Sequence, residues 1–219
     1  MSKRRLISIV LGVIVALIAG YLKKEGGGST IAFDGLTLSE VPATVAGGDW
    51  THLKKCRLIT GRNNDGDSFH VKHEEGETEF RLYFVDTPES KYKTYRGGDS
   101  NGKRIGEQGK YFGGLDREET TAVGSDAKKL VAEILTQGEF EIFTRWEEVY
   151  GPDRRYALVV PKVKGQRFFL HELLVGKGLG RIHTTGVDIP QLRKRREQES
   201  VLRDLEKDAQ AANVGGWVN

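Results

Sequence analysis

The feature that most constrains this chain is a train of short β-type runs punctuated by turns, starting at Cys56. Cys56–Thr60, Ser68–His73 and Glu79–Val85 each mix β-branched or aromatic residues with polar ones. Asn63-Asn64-Asp65-Gly66 and Glu74-Glu75-Gly76-Glu77 supply turns between them. Three runs joined this tightly predict an antiparallel meander. Residues 89–120 then form a long polar insertion rich in Gly, Lys and Arg, with a short helix near Ile105–Phe112. A further helix is predicted from near Ser125, because Ala127, Leu130, Val131, Ile134 and Leu135 recur at helical spacing. Phe140–Thr144 and Tyr156–Val160 read as two more strands and Phe169–Val175 as a short helix. Pro190 opens a charged amphipathic helix running to about Ala212. Five strands with about three helices inserted and appended make an α+β domain, mainly β. They predict a five-stranded β-barrel of the OB type over residues 55–219.

The segment upstream is of another kind. Residues 6–22 are 17 uncharged, mostly apolar positions, preceded by Lys3, Arg4 and Arg5 and followed by Lys23 and Lys24. Wound as a hydrophobic helix they span ~25 Å, against a hydrocarbon core of ~30 Å. Two expectations stand for residues 1–24: an uncleaved signal-anchor, or a cleavable signal peptide. Leu17 or Ile18 falls where a cleavage site wants a small residue, which favours the anchor. The slight basic excess on the N-terminal side orients the domain outside the cytoplasm. The domain is thus expected either held at the membrane through residues 6–22, or secreted or periplasmic if that segment is removed. Residues 25–54, which begin with the Gly/Ser linker Gly26-Gly27-Gly28-Ser29, carry no pattern that assigns them.

Charge divides along the same line. The formal net charge is +3, yet residues 1–24 hold five Lys/Arg and no acid, leaving 29 basic against 31 acidic residues, or −2, beyond them. A generic polyanion-binding surface is therefore excluded, and attraction to nucleic acid must come from a local patch or a bound cation. The single Cys56 excludes an intramolecular disulfide and any cysteine-rich metal site. It reads as a small buried residue.

The densest constellation of reactive side chains is Asp65-Gly66-Asp67, then Arg81, then Asp86-Thr87-Pro88-Glu89. Oxygen-rich clusters of this kind suit a hard cation such as calcium. Two carboxylates and a carbonyl can hold the ion, a third carboxylate can accept a proton from water, and arginine offers paired donors to phosphate oxygens. Singly, each piece has a plainer reading: Asp-Gly-Asp as a hairpin turn, a strand arginine as a solvated face, Pro-Glu as a loop. Strand periodicity does not itself bring Arg81 and Asp86 together, since they differ by an odd number.

The run Asp65-Gly66-Asp67-Ser68, followed by Phe80-Arg81-Leu82-Tyr83-Phe84-Val85-Asp86-Thr87-Pro88-Glu89, closely resembles the staphylococcal nuclease (thermonuclease) family. So do Tyr150-Gly151 leading into Arg154-Arg155-Tyr156-Ala157, and His171-Glu172-Leu173-Leu174-Val175 leading into Gly178-Leu179. A terminal helix ending in a tryptophan, here Trp217, fits as well, and the likeness covers roughly residues 56–217. The resemblance implies an OB-type barrel with three helices and calcium-dependent hydrolysis of DNA, and of RNA as a further substrate. Asp67 and Asp86 would bind calcium through carboxylates and Thr87 through its carbonyl. Glu89 would orient or deprotonate the attacking water. Arg81 and Arg154 would clamp the phosphate, with Arg155 a rival across the inserted Pro152-Asp153. A monomer is expected.

Two departures from the family pattern stand out. The loop after Glu89 is much longer, and interleaves Lys91, Lys93, Arg96, Lys103, Arg104 and Lys110 with Tyr92, Tyr95, Tyr111 and Phe112. Such a loop can steer and stack a nucleic-acid strand, or be a solvated surface. Where family members place base-flanking tyrosines, this chain has Thr184 and Gly186. His70 and His73, three apart on one strand, make a poor metal pair. Arg193-Lys194-Arg195-Arg196 lies among acids on an amphipathic helix and reads as a solvated face. The rival to an enzyme is a non-catalytic nucleic-acid- or protein-binding module on the same barrel.

Overall fold

A computed structural model describes residues 30–41, 47–150 and 153–218. The apolar segment 6–22 and its following linker lie outside the described residues. Among the described residues no helix is long and apolar enough to cross a membrane. The chain enters through an antiparallel hairpin of β1 (Thr30–Phe33) and β2 (Leu36–Ser39), then runs through β3 (Thr51–Leu58), β4 (Ser68–His73), β5 (Gly76–Leu82) and the two-residue β6 (Val85–Asp86). Two helices follow, α1 (Gly102–Tyr111) and α2 (Arg117–Thr136), before β7 (Phe140–Thr144) and β8 (Arg154–Val160). After a small hairpin of β9 (Lys162–Val163) and β10 (Gln166–Arg167) come α3 (Leu170–Gly176), β11 (Arg181–Ile182), α4 (Arg195–Ala211) and a 3-10 turn at Gly215–Trp217.

Five strands close into a barrel in the order β3-β4-β5-β8-β7. The barrel is mixed, because β5 and β8 run parallel while the other neighbours are antiparallel. Its interior is filled by alternate residues of each strand, among them Leu53, Phe69, Phe80, Ile142 and Val159, all buried. Cys56 is a free thiol buried with them, and burial pushes it up to about 12, so it is inert.

The five-stranded barrel and the α+β class agree with the sequence reading; the helix count is four instead of about three. One of the four, α1, lies in the 89–120 insertion, where a short helix is expected near Ile105–Phe112. β3 begins at Thr51, earlier than the Cys56 expected, because a bulge between Leu53 and Cys56 spoils the alternation of Thr-His-Leu-Lys-Lys-Cys. α2 begins at Arg117, ahead of Ser125, because Asp116 caps it. The Asp116 carboxylate accepts from the N–H groups of Glu118 and Glu119 (both 2.8 Å), and Glu119 answers to the Asp116 N–H (2.9 Å). α4 starts at Arg195, after Pro190. The left-handed Gln191 (φ 57°) and a turn closed by the Arg193 N–H on the Ile189 carbonyl come between. The β1–β2 hairpin, within the unassigned stretch, packs on this domain: the Ser39 N–H donates to the buried Glu172 carboxylate at 2.8 Å.

Candidate functional site

A break in the β pattern builds the site. Phe84 has φ 67°, a left-handed conformation that a bulky residue rarely adopts, and it is held there from both sides. Its N–H donates to the Thr185 carbonyl (2.9 Å), and its own carbonyl accepts from His183 (2.9 Å) and Thr184 (3.2 Å). On an unbroken strand Arg81 and Asp86 would face opposite ways. The kink resets the alternation, and Arg81 Nη2 donates to Asp86 Oδ1 at 2.5 Å. The pairing of β6 with β11 sets Arg181 opposite Asp86, where its Nε donates to Oδ2 at 2.8 Å.

Asp67 arrives from the other side. A Cβ on Gly66 would stand 2.7 Å from Thr87 Oγ1 and 2.9 Å from Ala127 Cβ, so glycine lets this loop pass against Thr87. Asp67 Oδ2 accepts from the Thr87 N–H (3.1 Å) and lies 3.2 Å from Arg81 Nη2, while Oδ1 accepts from Ser68 Oγ (3.0 Å). Glu89 is mostly buried, its side chain 14% exposed. Its Oε1 is 3.2 Å from Arg104 Nη1 and its Oε2 accepts from Asn101 Nδ2 at 3.0 Å.

The α1 helix binds the Asp86–Glu89 turn. Gln108, fully buried, donates from Nε2 to Asp86 Oδ2 (3.1 Å) and the Thr87 carbonyl (3.0 Å), and accepts from the Glu89 N–H (3.0 Å). Arg104 Nη2 donates to Asp86 Oδ1 at 2.6 Å. The cleft above, about 400 Å³, is lined by Arg81, Asp86, Lys103, Arg104, Arg181 and His183, with Ser100 and Glu107 at its edge.

The two aspartates sit in opposite electrostatic states. Burial pushes Asp67 up to about 6, with Arg81 offsetting this only in part and Asp86 adding to it. Burial works against the charge on Asp86 too, but Arg104, Arg181 and Arg81, together with the Gln108 amide, override it and hold Asp86 well below the usual carboxylate range. Burial and the neighbouring Arg181 depress His183, so the imidazole in the cleft is held neutral.

The structure thus brings together Asp67, Arg81, Asp86, Thr87 and Glu89. Arg154 stands apart: its Nε is 3.0 Å from Glu79 Oε1, and the parallel ladder sets it level with Glu79, two residues short of Arg81. Arg155, its rival, is ion-paired with Glu148 at 3.3 Å. Oxygen donors are the right type for a hard cation, and Asp67, Asp86 and the Thr87 carbonyl are linked through shared donors: Arg81 Nη2 bridges Asp67 and Asp86, and Gln108 Nε2 bridges Asp86 and the Thr87 carbonyl. All three are engaged, the Thr87 carbonyl by Gln108, Asp86 by three guanidiniums and Asp67 by Ser68, the Thr87 N–H and Arg81, so a cation there must displace some of these donors. Among the described residues no group of three or more His, Cys, Asp or Glu is disposed to hold a metal.

Sequence reasoning missed Asn101, Gln108 and Arg181 as site residues, and placed Arg104 only among the loop bases that can steer a strand. Asn101, Arg104 and Gln108 follow helical spacing, a polar stripe that could have been read as one face. Tyr111 is spoken for: its hydroxyl donates to Glu206 and accepts from the Ile182 N–H (3.1 Å). Tyr92 and Tyr95 remain 45% and 53% exposed, with the Arg117 guanidinium 5.0 Å over one face of the Tyr92 ring. Thr184 donates to the Leu82 carbonyl (3.1 Å) and offers no stacking surface. No protein-family model matches this chain, and no curated protein matches it either.

Proposed function

We propose that this chain is a calcium-dependent phosphodiesterase of the staphylococcal nuclease type, cutting DNA or RNA on an OB-type barrel. The observation that carries the reading is the kink at Phe84, which joins Arg81 to Asp86 in an open cleft, with Asp67 held against Arg81 and Glu89 against Arg104. Four basic residues line that cleft against two acids, on a domain whose charges otherwise nearly balance. A polyanion therefore has a local destination.

In the reaction, water attacks phosphorus, Glu89 accepts its proton, the bond to one ester oxygen breaks, and that oxygen leaves as an alcohol after taking a proton from solvent. Arg81 donates to the phosphate oxygens as charge builds on them. Asp67, Asp86 and the Thr87 carbonyl would hold calcium, which supplies positive charge to polarise the phosphate and place the water. The membrane reading extends to location: residues 6–22 would tether the domain outside the cytoplasm. Cell fractionation should leave the full chain in the membrane pellet with its domain accessible from outside. A soluble product starting near residues 20–28 would show a cleaved signal instead.

One observation favours a binding module. Asp86 and the Thr87 carbonyl already have protein donors, as an ion-pair cluster with a purely structural role would. Incubating the full chain, in detergent and calcium, with labelled single-stranded DNA and RNA separates the two. New chain ends, abolished by Asp86→Asn, are expected of the enzyme. Retention of intact oligonucleotide without cutting would establish the binding module.

A further inference from the structure

The phosphodiesterase reading leaves Arg81 without the second guanidinium that a phosphate clamp calls for, since Arg154 is paired with Glu79 away from the cleft. We infer that Arg104, on the helix added by the insertion, is that second phosphate-binding residue and a catalytic residue of the same centre. The inference rests on the phosphodiesterase reading and names the residue that completes it.

Three guanidiniums converge on Asp86, but they differ in what they can do next. The side chains of Arg81 and Arg181 are 10% and 7% exposed, whereas that of Arg104 is 42% exposed. Arg81 and Arg181 are thus fixed parts of the floor, and Arg104 turns an open edge to the cleft. A guanidinium carries five N–H donors. Arg104 spends Nη2 on Asp86 and Nη1 on Glu89, leaving the other donors of its fork for an incoming oxyanion. It also touches both groups that matter to the chemistry: the proposed metal carboxylate and the proposed base.

The helix is held firmly enough to position it. At the C-terminal end of α1, Tyr111 is bonded to Glu206 of α4, and Phe112 packs on Trp217 with ring centroids 4.9 Å apart. Near its middle Gln108 grips the Asp86–Glu89 turn, and at its start the Asn101 side chain bonds Glu89 and the Lys91 carbonyl (3.0 Å). The insertion is therefore a wall of the active centre. A phosphate seated between Arg81 and Arg104 would draw Arg104 off Glu89, freeing that carboxylate to take a proton at the moment substrate is present.

Wild-type chain and the variants Arg104→Ala, Arg104→Lys and Arg154→Ala are compared, each first verified as folded by thermal melting. Two readouts are taken: steady-state cleavage of an oligonucleotide, and equilibrium binding of inorganic phosphate. Arg104→Ala should lower kcat by about 10²–10³-fold, the cost of removing one donor to developing charge. Lysine should restore little of it, lacking the fork, and Arg154→Ala should lose less than about tenfold. An Arg104→Ala enzyme within about threefold of wild type, or an Arg154→Ala enzyme that is the worse of the two, overturns the assignment. Should the wild type cleave nothing, the phosphodiesterase reading fails and the binding arm still decides the site. Phosphate affinity at least about tenfold weaker in Arg104→Ala keeps it, and unchanged affinity removes it.

Discussion

Asp67 and Asp86 lie against the same arginine, yet one carboxylate tends to hold a proton and the other refuses it. That contrast has a measurable sign. Asp67 keeps its proton up to about pH 6 in the fold, against 3.8 when unfolded, so it favours the folded state below that window and costs stability as pH rises through it. Asp86 does the reverse: its depressed value stabilises the fold above 3.8, and that contribution is lost only in stronger acid. Urea unfolding of metal-free protein should therefore show Asp67→Asn gaining on wild type between pH 4 and 7, by up to about 3 kcal/mol. A difference that stays flat across that range would contradict the buried, proton-holding Asp67. Chemistry is probed at the neighbouring positions. Glu89→Gln or Arg81→Lys should cut turnover by about 10²–10⁴-fold, with a far smaller effect on melting; equal losses in both would make these residues structural. The acidic members were legible because Asp86 and Glu89 stand in the dense run Asp-Thr-Pro-Glu and Asp67 in Asp-Gly-Asp. Arg81 with Asp86 was not legible from periodicity, since the contact depends on a left-handed Phe84 that no propensity announces.

At the scale of elements, the α2 helix fixes the turn that carries Glu89 by coming unusually close to it. A Cβ at Gly124 would meet the Pro88 carbonyl oxygen at 2.4 Å and that of Glu89 at 2.5 Å, and both are backbone atoms that cannot rotate aside. In an exposed helix, Gly→Ala gains about 1 kcal/mol. Here Gly124→Ala should instead destabilise by about 1–3 kcal/mol through overpacking, and should lower activity by displacing Glu89. A variant that melts higher and cuts as fast as wild type would show that the contact is soft. The elements were unevenly readable. β4, β7 and the core of α2 announced themselves by alternation or helical spacing, while β3 was cut short by its bulge and β6 and β11 are only two residues long. α1 was visible as a helix near Ile105–Phe112, but a hydrophobic pattern could not show that its polar face builds the site. Gln108 is wholly buried without being apolar, because the Asp86–Glu89 turn satisfies its amide.

For the whole molecule, the closed barrel is a rigid stage onto which the chain returns three times at one place: the loop before β4, the turn after β6 and the start of β11. The insertion then walls this place with guanidinium. Positive charge is concentrated there on a domain whose charges otherwise nearly balance, so oligonucleotide association should weaken with added salt through this cleft. The central claim is that the cleft hydrolyses phosphodiesters with calcium, and the most direct measurement is the rate of oligonucleotide cleavage by the full chain across a calcium titration, in magnesium, and in excess chelator. The account predicts no cleavage in chelator, recovery as calcium is restored, and little turnover in magnesium, whose strict octahedral shell suits a sparse and flexible oxygen set poorly. Full activity in chelator, equal rates with both metals, or no cleavage at any calcium concentration would contradict it.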